Sequence, residues 1–313
     1  KKYKSNKFSI ALYGGEPLLN FDDCAYIMDS CFQWADDQGI DYKSRIITNG
    51  TLVTPEIAEE LQKYKTRAIQ LTLDGPKRIH NKKRIYKNGK GTFDDIINAA
   101  RILLNKKIPV NFRINVDKEN NPYIGELLNE LAVLHLKNVP AICAPIGKFQ
   151  ACTDSECVHD KDVNSIIVET RKLLKEKGQA QPPIKTHESS QIFCSFLGEG
   201  TYIIDPHADV YKCLTFVGVK DHCIGHINKK GRVTPTTVYY DWMSRDPLHI
   251  EECKHCKMLP ACGGGCASVA YKKHNTYHAC GCYNPHSETK DQITWFLEKN
   301  FPEHFKDGKI IWS

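Results

Sequence analysis

Six of the fourteen cysteines in this chain lie within thirty residues, at spacings that are typical of metal ligands. They occur in the segment Cys253-Lys-His-Cys256-Lys-Met-Leu-Pro-Ala-Cys262-Gly-Gly-Gly-Cys266 and in the pair Cys280-Gly-Cys282. A segment rich in thiols and glycine folds poorly unless something binds its sulfurs, because glycine loses the most backbone entropy on ordering. Little apolar surface is available here to offset that loss. The pattern therefore predicts a metal site.

The number and spacing of the cysteines indicate which metal is bound. One zinc ion takes four ligands, usually as two Cys-x2-Cys pairs, whereas each iron–sulfur cluster takes four thiolates at less regular spacings. Upstream, Cys194 and Cys213 flank residues 201–212, which are predicted to form two short strands around a turn and so to bring the two sulfurs together. Eight cysteines are enough for two [4Fe–4S] clusters.

The order of these cysteines resembles the SPASM domain, the auxiliary iron–sulfur extension of radical S-adenosylmethionine (SAM) enzymes. The resemblance implies an outer cluster and an inner cluster. The implied ligands are Cys253, Cys256, Cys262 and Cys282 for the outer cluster, and Cys194, Cys213 and Cys266 for the inner one. Cys280 is the alternative to Cys282, which is preferred because a polar helix start follows it, as at the family's ending. For the fourth ligand of the inner cluster, Cys223, the substrate and an open position are the alternatives.

The composition is that of a globular protein and argues against several classes of partner. The chain has 313 residues, 41% apolar and 26% charged, enough for one large or two modest domains. No apolar run approaches the roughly 18 residues of a membrane span, and no signal peptide is recognised, so we expect a cytoplasmic protein with reduced thiols. The net charge of +6 is spread along the chain, which does not favour nucleic-acid binding. The basic stretches 77–90 and 171–177 are predicted to be solvated faces.

Strands alternate with helices over the first half of the chain, which predicts a parallel sheet or a (β/α) barrel. The predicted strands are residues 8–13, 45–48, 68–73, 110–116 and 139–144. The predicted helices follow the caps Asn20, Thr54 and Thr92, the last one spanning 93–105, with further helices at 123–136 and 162–177. The first strand is expected to be buried. Cys24, Met28, Cys31 and Ala35 recur at helical spacing, so they are predicted to pack in the core.

Polar residues follow four of these strands, at the sheet edge where α/β proteins collect their functional groups. They are Gly14-Gly15-Glu16, Thr48-Asn49-Gly50, Thr72-Leu73-Asp74-Gly75 and Asn115. In this order, and ahead of the cysteine-rich region, they resemble the SAM-binding segments of the radical SAM fold. The resemblance implies a cofactor site of Gly14, Gly15, Glu16, Thr48, Asn49, Thr72, Arg84 and Asn115. Glu16 would hold the SAM amino group, and Arg84, or else Arg113, would pair with its carboxylate; the alternative for both arginines is a solvated surface position.

The resemblance also implies an organisation into two domains. Residues 1–189 are predicted to be part of a (β/α) TIM-like radical SAM barrel, and residues 190–313 a small SPASM domain with a C-terminal helix. The Cys-x3-Cys-x2-Cys motif that binds the SAM-cleaving cluster in this family does not occur ahead of the first strand. We therefore expect residues upstream of this chain, in a longer protein, to supply that third cluster, because a barrel that began at its second strand would expose an edge and a core face; the alternative is an inactive chain.

The resemblance further implies a radical SAM enzyme that modifies a ribosomally made precursor peptide, for example by forming a thioether or another side-chain crosslink. Sulfatase maturases resemble the chain overall, but they carry an aspartate where this chain has Leu214, so a sulfatase-maturase-like or other SPASM dehydrogenase is the alternative. A zinc-bound peptide-binding module is the alternative outside the enzymes. The expected partners are a peptide or small protein substrate and a reductant such as flavodoxin or ferredoxin, with no nucleic acid or membrane, and the protein is expected to be a monomer. No catalytic acid or base is assigned.

Overall fold

The computed structural model describes residues 5–147, 157–158, 162–182, 194–257, 259–282, 297, 301–306 and 309–311. The chain divides into two compact units. The first unit consists of residues 1–146, 154–158 and 165–183, and the second consists of residues 147–153, 159–164 and 184–313. The predicted domain boundary between residues 189 and 190 stays a prediction.

The first unit is built on a five-stranded parallel sheet whose strands lie in chain order, which confirms the α/β class. The strands are β1 (Lys7–Leu12), β2 (Asp41–Thr48), β3 (Thr66–Leu73), β4 (Val110–Val116) and β5 (Ala141–Pro145). The helices are α1 (Phe21–Asp37), α2 (Pro55–Lys63), α3 (Lys77–Lys83), α4 (Phe93–Asn105), α5 (Ile124–Val133) and α6 (Val163–Glu176). Because all neighbouring strands are parallel, their carboxyl ends meet at one edge of the sheet.

One face of this sheet packs against helices, and on β4 the other face is polar. On β4, Phe112 and Ile114 are fully buried, whereas the alternating Arg113 and Asn115 are partly exposed, as the period of two in a strand requires. The prediction that the first strand is buried is wrong. Strand β1 alternates between exposed and half-buried residues, because among the described strands it pairs only with β2.

The helix starts agree with the sequence in position but not always in mechanism. Thr54 caps α2 as predicted, since its hydroxyl accepts from the backbone N–H of Ile57. Thr92 precedes α4 but does not cap it with its side chain; instead Asn81 accepts from the N–H of Phe93, 3.0 Å away. The side chain of Asn20 likewise does not cap α1.

Only two of the four residues of helix α1 that were predicted to pack in the core are fully buried. Met28 and Ala35 are buried, whereas Cys24 and Cys31 are half-buried. The thiol of Cys24 donates to the carbonyl oxygen of Pro17 at 3.3 Å. The two cysteines therefore lie at the margin of the core.

The second unit contains a four-stranded antiparallel sheet and short helices. Its strands are β6 (Ile203–Ile204), β7 (Asp209–Tyr211), β8 (Gly225–Ile227) and β9 (Val233–Pro235), and a separate pair is formed by β10 (Phe305–Lys306) and β11 (Lys309–Ile310). Its helices are α7 (Thr237–Met243), α8 (Glu251–Lys254), α9 (Leu259–Cys262) and α10 (Ala267–His274). A small core includes Phe216, Trp242 and Tyr277. Most residues of the predicted C-terminal helix lie outside the described residues. No helix in the described ranges is both long and apolar enough to cross a membrane.

Candidate functional site

Glu16 joins the ends of β1 and β2 at the carboxyl edge of the parallel sheet. Its carboxylate accepts three hydrogen bonds, from the Thr48 hydroxyl at 2.6 Å, the Asn49 N–H at 2.7 Å and the Leu18 N–H at 3.1 Å. A carboxylate offers about four lone-pair positions, so most of its acceptor capacity is used within the protein. The structure thus brings together Glu16, Thr48 and Asn49 as predicted, and it shows that Glu16 organises the strand ends.

Asp74 is the centre of a second polar cluster, at the ends of β3 and β4. One carboxylate oxygen accepts from Arg84 Nε at 2.5 Å, and the other accepts from the Asn115 amide at 3.1 Å. Arg113 Nε donates to the Asn115 side chain at 2.9 Å. The two arginines considered for the SAM carboxylate are therefore linked through one aspartate and one asparagine. Thr72, one register step inside the edge, pairs with Arg113 across the strands.

His80 is fully buried and fixes the position of this cluster. Its Nδ1 accepts from the backbone N–H of Asp74 at 3.1 Å, so in the neutral ring Nε2 carries the proton, which it donates to the Thr92 hydroxyl at 3.0 Å. That hydroxyl donates onward to the carbonyl oxygen of Arg84. Burial lowers the pKa of His80 to about 4, against the opposing charge of Asp74, so the ring is neutral at neutral pH.

Helix α3 corrects the prediction that residues 77–90 are a solvated face. Ile79 and His80 are buried in it, and Lys83 forms a largely buried ion pair with Asp117 at 2.6 Å. Arg84, at its end, pairs with Asp74 and is not a free surface arginine. The helix was missed because its buried face is short and one of its two buried residues is histidine.

Two important residues of this cluster, Asp74 and Asn120, were not among the predicted site residues. The Asn120 amide is buried and donates to the carbonyl oxygens of Asp74 and Asn115, at 2.9 and 2.7 Å. Asp74 could have been predicted as a site residue, because it is an aspartate that directly follows a buried strand. Asn120 gave no comparable signal, because its role comes from a contact 46 residues away in the sequence.

The three cysteines predicted for the inner cluster lie close together in the second unit. Burial raises the pKa of the Cys194 thiol, and the nearby thiols of Cys266 and Cys213 raise it further. Cys213 and Cys266 each stand at the start of a helical turn, the latter at the N-cap of α10. Cys223 is engaged elsewhere, because its thiol donates to the carbonyl oxygen of Gly225 at 3.1 Å.

The cysteines predicted for the outer cluster form a second group. Burial raises the pKa of Cys262, as do the neighbouring thiols of Cys282 and Cys256. Burial likewise raises the pKa of Cys253, and a hydrogen bond with Cys280 and the negative charge of a neighbouring Cys262 thiolate raise it further. All five carry free thiols. The choice between Cys280 and Cys282 stays open, since both lie beside predicted ligands.

The backbone conformation explains why three consecutive glycines lie between Cys262 and Cys266. Gly263, Gly264 and Gly265 have φ of 58°, 83° and 75°, a left-handed region that side chains disfavour. A Cβ on Gly265 would also lie 2.5 Å from the carbonyl oxygen of Gly281. The glycine turn therefore lets the segment with Cys266 pack directly against the segment with Cys282.

The two cysteine groups are open arrangements. Within the residues that the structure describes, no three histidine, cysteine, aspartate or glutamate side chains converge closely enough to hold a single metal ion. Cys157, to which the sequence assigned no role, is disulfide-bonded.

Residues 1–131 match the family model of the Radical SAM superfamily. Several relatives match over most of the chain, among them the following three. An uncharacterized protein of Methanocaldococcus jannaschii is 28% identical over 230 residues, which are 73% of this chain and 75% of that protein. The radical SAM cyclopropyl synthase TigE of Paramaledivibacter caminithermalis is 24% identical over 87% of this chain and 57% of the enzyme. The cysteine-type anaerobic sulfatase-maturating enzyme of Clostridium novyi is 22% identical over 82% of this chain and 72% of the enzyme.

Two solved structures share the fold. The structure of native anSMEcpe with bound AdoMet superposes with a TM-score of 0.71 at 21% identity, covering 96% of this chain and 85% of that one. The structure of Streptococcus suis SuiB bound to its precursor peptide SuiA gives a TM-score of 0.61 at 17% identity, covering 88% of this chain and 64% of that one.

These findings define the first unit as a partial TIM-like barrel of the α/β class. Residues 1–131 are thus similar to the Radical SAM superfamily, and the relatives include a radical SAM cyclopropyl synthase and a sulfatase-maturating enzyme, in agreement with the radical SAM resemblance of the sequence. AdoMet, one of the two predicted cofactors, is bound in the anSMEcpe structure; for this chain SAM and the [4Fe–4S] clusters stay predictions. The assignment of individual residues to them stays a prediction.

Proposed function

We propose that this chain belongs to a radical SAM maturase that modifies a ribosomally made precursor peptide or small protein. The observation that carries the proposal is the sorting of the free cysteines into two groups, with Cys194, Cys213 and Cys266 in one group and Cys253, Cys256, Cys262, Cys280 and Cys282 in the other. The first group contains the three inner ligands that the SPASM resemblance implies, and the second contains the four outer ligands together with Cys280, the alternative to Cys282. Thiolates at irregular spacing are the usual ligands of [4Fe–4S] clusters.

The strand ends of the first unit are suited to hold SAM. SAM, when cleaved reductively, supplies a 5′-deoxyadenosyl radical that abstracts hydrogen from a substrate. Arg84 uses Nε to bind Asp74, and its terminal nitrogens form a fork for a carboxylate. Asp74 and His80 hold that fork in place. Gly14 and Gly15 are exposed, and a Cβ on either would meet nothing within 4 Å, so this turn is open to a ligand.

Glu16 takes a narrower role in this proposal than the resemblance implies. With three of its lone pairs used by Leu18, Thr48 and Asn49, it has room for about one bond to a SAM amino group. Its main contribution is to fix the turn whose carbonyl oxygens face the ligand. Thr72 and Asn115 complete the proposed site on the neighbouring strands.

The peptide substrate is supported by what the relatives act on. SuiB is solved with its precursor peptide, and anSMEcpe is solved with a bound peptide as well as AdoMet. We favour formation of a thioether or another side-chain crosslink over sulfatase maturation. The reason is that sulfatase maturases carry an aspartate at the position where this chain has Leu214. Leu214 is partly exposed and cannot act as a base. A sulfatase-maturase-like oxidation is the second candidate, supported by the C. novyi relative.

The remaining partners follow from the chemistry. The reaction needs an external one-electron reductant, for which flavodoxin or ferredoxin is suitable, and reduced thiols, for which the cytoplasm is suitable. We expect the enzyme to act as a monomer. A SAM-cleaving cluster completes the proposed cofactor set.

The test uses the full-length protein, reconstituted anaerobically and given SAM, a reductant and the peptide encoded by any short cysteine-rich open reading frame beside its gene. The expected result is formation of 5′-deoxyadenosine together with a peptide that has lost two hydrogen atoms for each crosslink formed. Conversion of a sulfatase peptide cysteine to an aldehyde, with the neighbouring peptide unchanged, would favour the second candidate. Stoichiometric zinc without inorganic sulfide would contradict both and support a peptide-binding module.

A further inference from the structure

Arg245 lies in the loop after α7 and inserts its guanidinium between two cysteine-bearing segments. One terminal nitrogen donates to the carbonyl oxygens of Tyr277 and Ala279, the latter at 2.9 Å. The other donates to the carbonyl oxygen of Gly264 at 2.6 Å. The side chain therefore links the glycine turn after Cys262 to the segment that leads into Cys280.

The backbone around Arg245 is held in the same place by packing. Pro247, two residues on, lies against the glycine turn so closely that a Cβ on Gly264 would come within 2.7 Å of it. Asp246 fixes the following turn, because its side chain accepts from the N–H of Leu248 at 2.9 Å. The position of the guanidinium is thus set by its own loop as well as by its hydrogen bonds.

The charge of Arg245 faces thiols. The thiols of Cys253, Cys266, Cys280 and Cys262 all interact electrostatically with it, and these include members of both cysteine groups. Its three hydrogen bonds go to neutral carbonyl oxygens, its Nε is buried without an acceptor, and no carboxylate in the described ranges pairs with it. A half-buried cation without a counter-ion is unfavourable, and negative charge on the neighbouring sulfurs would offset it.

We propose that Arg245 is a shared positioning residue and counter-ion of the two cysteine groups: it clamps the glycine turn to the Cys280 segment and places one fixed positive charge between the groups. The proposal rests on the proposed function, in which each group holds a [4Fe–4S] cluster. Net charge is one of the determinants of cluster potential. A fixed cation stabilises the more negative, reduced state, so Arg245 raises the reduction potential of both clusters.

The experiment compares wild type, Arg245→Gln and Arg245→Lys in the full-length, anaerobically reconstituted protein. Redox titrations followed by electron paramagnetic resonance give the potential of each auxiliary cluster. For Arg245→Gln we expect the reduced-to-oxidised ratio of both clusters at a fixed ambient potential to fall about tenfold, a shift of about 59 mV for one electron. Arg245→Lys keeps the charge, so its two potentials should stay at the wild-type values. Arg232→Gln, an exposed arginine of the same unit, is the matched control.

A second readout in the same reconstituted proteins tests the clamp separately. Lysine is a point charge and cannot reproduce the fork to three carbonyls, so both Arg245 variants should exchange the amide hydrogens of Cys266 and Gly281 faster than wild type. These amides donate across the two clamped segments, to Gly281 and Gly264 respectively. Equal exchange in all proteins would overturn the clamp.

The outcomes separate this inference from the proposed function. Iron and sulfide analysis of wild type tests whether clusters are bound at all. Given bound clusters, unchanged potentials in Arg245→Gln, or a shift in only one cluster, would overturn the shared counter-ion role. If Arg245→Gln takes up no clusters, Arg245→Lys decides: wild-type potentials support the role of charge, and shifted potentials contradict it.

Discussion

Replacing Glu16 by glutamine should loosen the carboxyl edge of the sheet by an amount that the contacts allow us to work out. Its Oε1 accepts from Thr48 and Leu18, and its Oε2 accepts from Asn49. Glutamine keeps one acceptor oxygen, so its amide NH2 must face at least one N–H or O–H donor. Losing one charge-assisted hydrogen bond costs about 1.5–3 kcal/mol. Because Glu16 is only half-buried, water can replace part of the lost hydrogen bonding, so we expect a cost of about 2 kcal/mol.

Native-state hydrogen exchange measures this loss locally. A change of about 2 kcal/mol in the opening free energy corresponds to roughly 30-fold faster exchange. The informative amides are those of residues 46–48 in β2 and of Gly50, whose N–H donates to the Thr48 hydroxyl. Glu126→Gln in the same unit is the control, since its carboxylate pairs with Arg78 on the surface and the exchange at β2 should not change.

The reasoning would be refuted if Glu16→Gln left the exchange of residues 46–50 at wild-type rates, or if Glu126→Gln accelerated it equally. SAM titration of the same variants adds a functional readout. We expect affinity to fall ten- to a hundredfold in Glu16→Gln, because the turn that faces the ligand loses its anchor. Asn81→Ala is unsuitable as an inert control, because Asn81 caps α4.

Three further predictions concern the clusters and the polar network. Gly281→Ala should abolish iron uptake by the second unit, because its Cβ would collide with the carbonyl of Cys266, whereas Gly200→Ala, with open space around it, should load normally; equal iron contents would contradict this. Cys262→Ala should lose cluster iron and Cys24→Ala should keep it, at a stability loss of about 1 kcal/mol; iron analysis decides. Because the pKa of His80 is lowered to about 4 from 6.5, the unfolded state binds more protons between these values, so stability falls as pH drops from 6.5 to 4, by about 3 kcal/mol. In His80→Asn, hydrogen exchange at pH 5 and 7.5 should show a smaller difference; an unchanged difference would exclude His80 as the cause.

Much of the first unit could be predicted because its signals are local. Buried strands read as apolar runs, and α4 spans Phe93–Asn105 as expected. The strand-end residues Glu16, Thr48 and Asn49 meet because parallel strands end at one edge. Helix α3 could not be predicted in this way, since what holds it is a tertiary network through His80.

In the second unit, too, the local sequence pattern could be interpreted, whereas contacts between distant segments could not be predicted. The number and spacing of the cysteines predicted two clusters, and the SPASM resemblance implied which cysteines belong to each. The sequence could not show that Gly265 and Gly281 touch, or that Arg245 reaches Gly264 and Ala279. These contacts join segments that are 16 to 34 residues apart, and no short-range pattern encodes such pairs.

The central claim is that the second unit binds two auxiliary [4Fe–4S] clusters through the two cysteine groups. Iron and acid-labile sulfide analysis of the full-length, anaerobically reconstituted protein, with its SAM-cleaving cluster removed by mutation of that cluster's ligands, tests it most directly. The account predicts iron and sulfide equivalent to two [4Fe–4S] clusters and broad visible absorption. Stoichiometric zinc with no inorganic sulfide would contradict it.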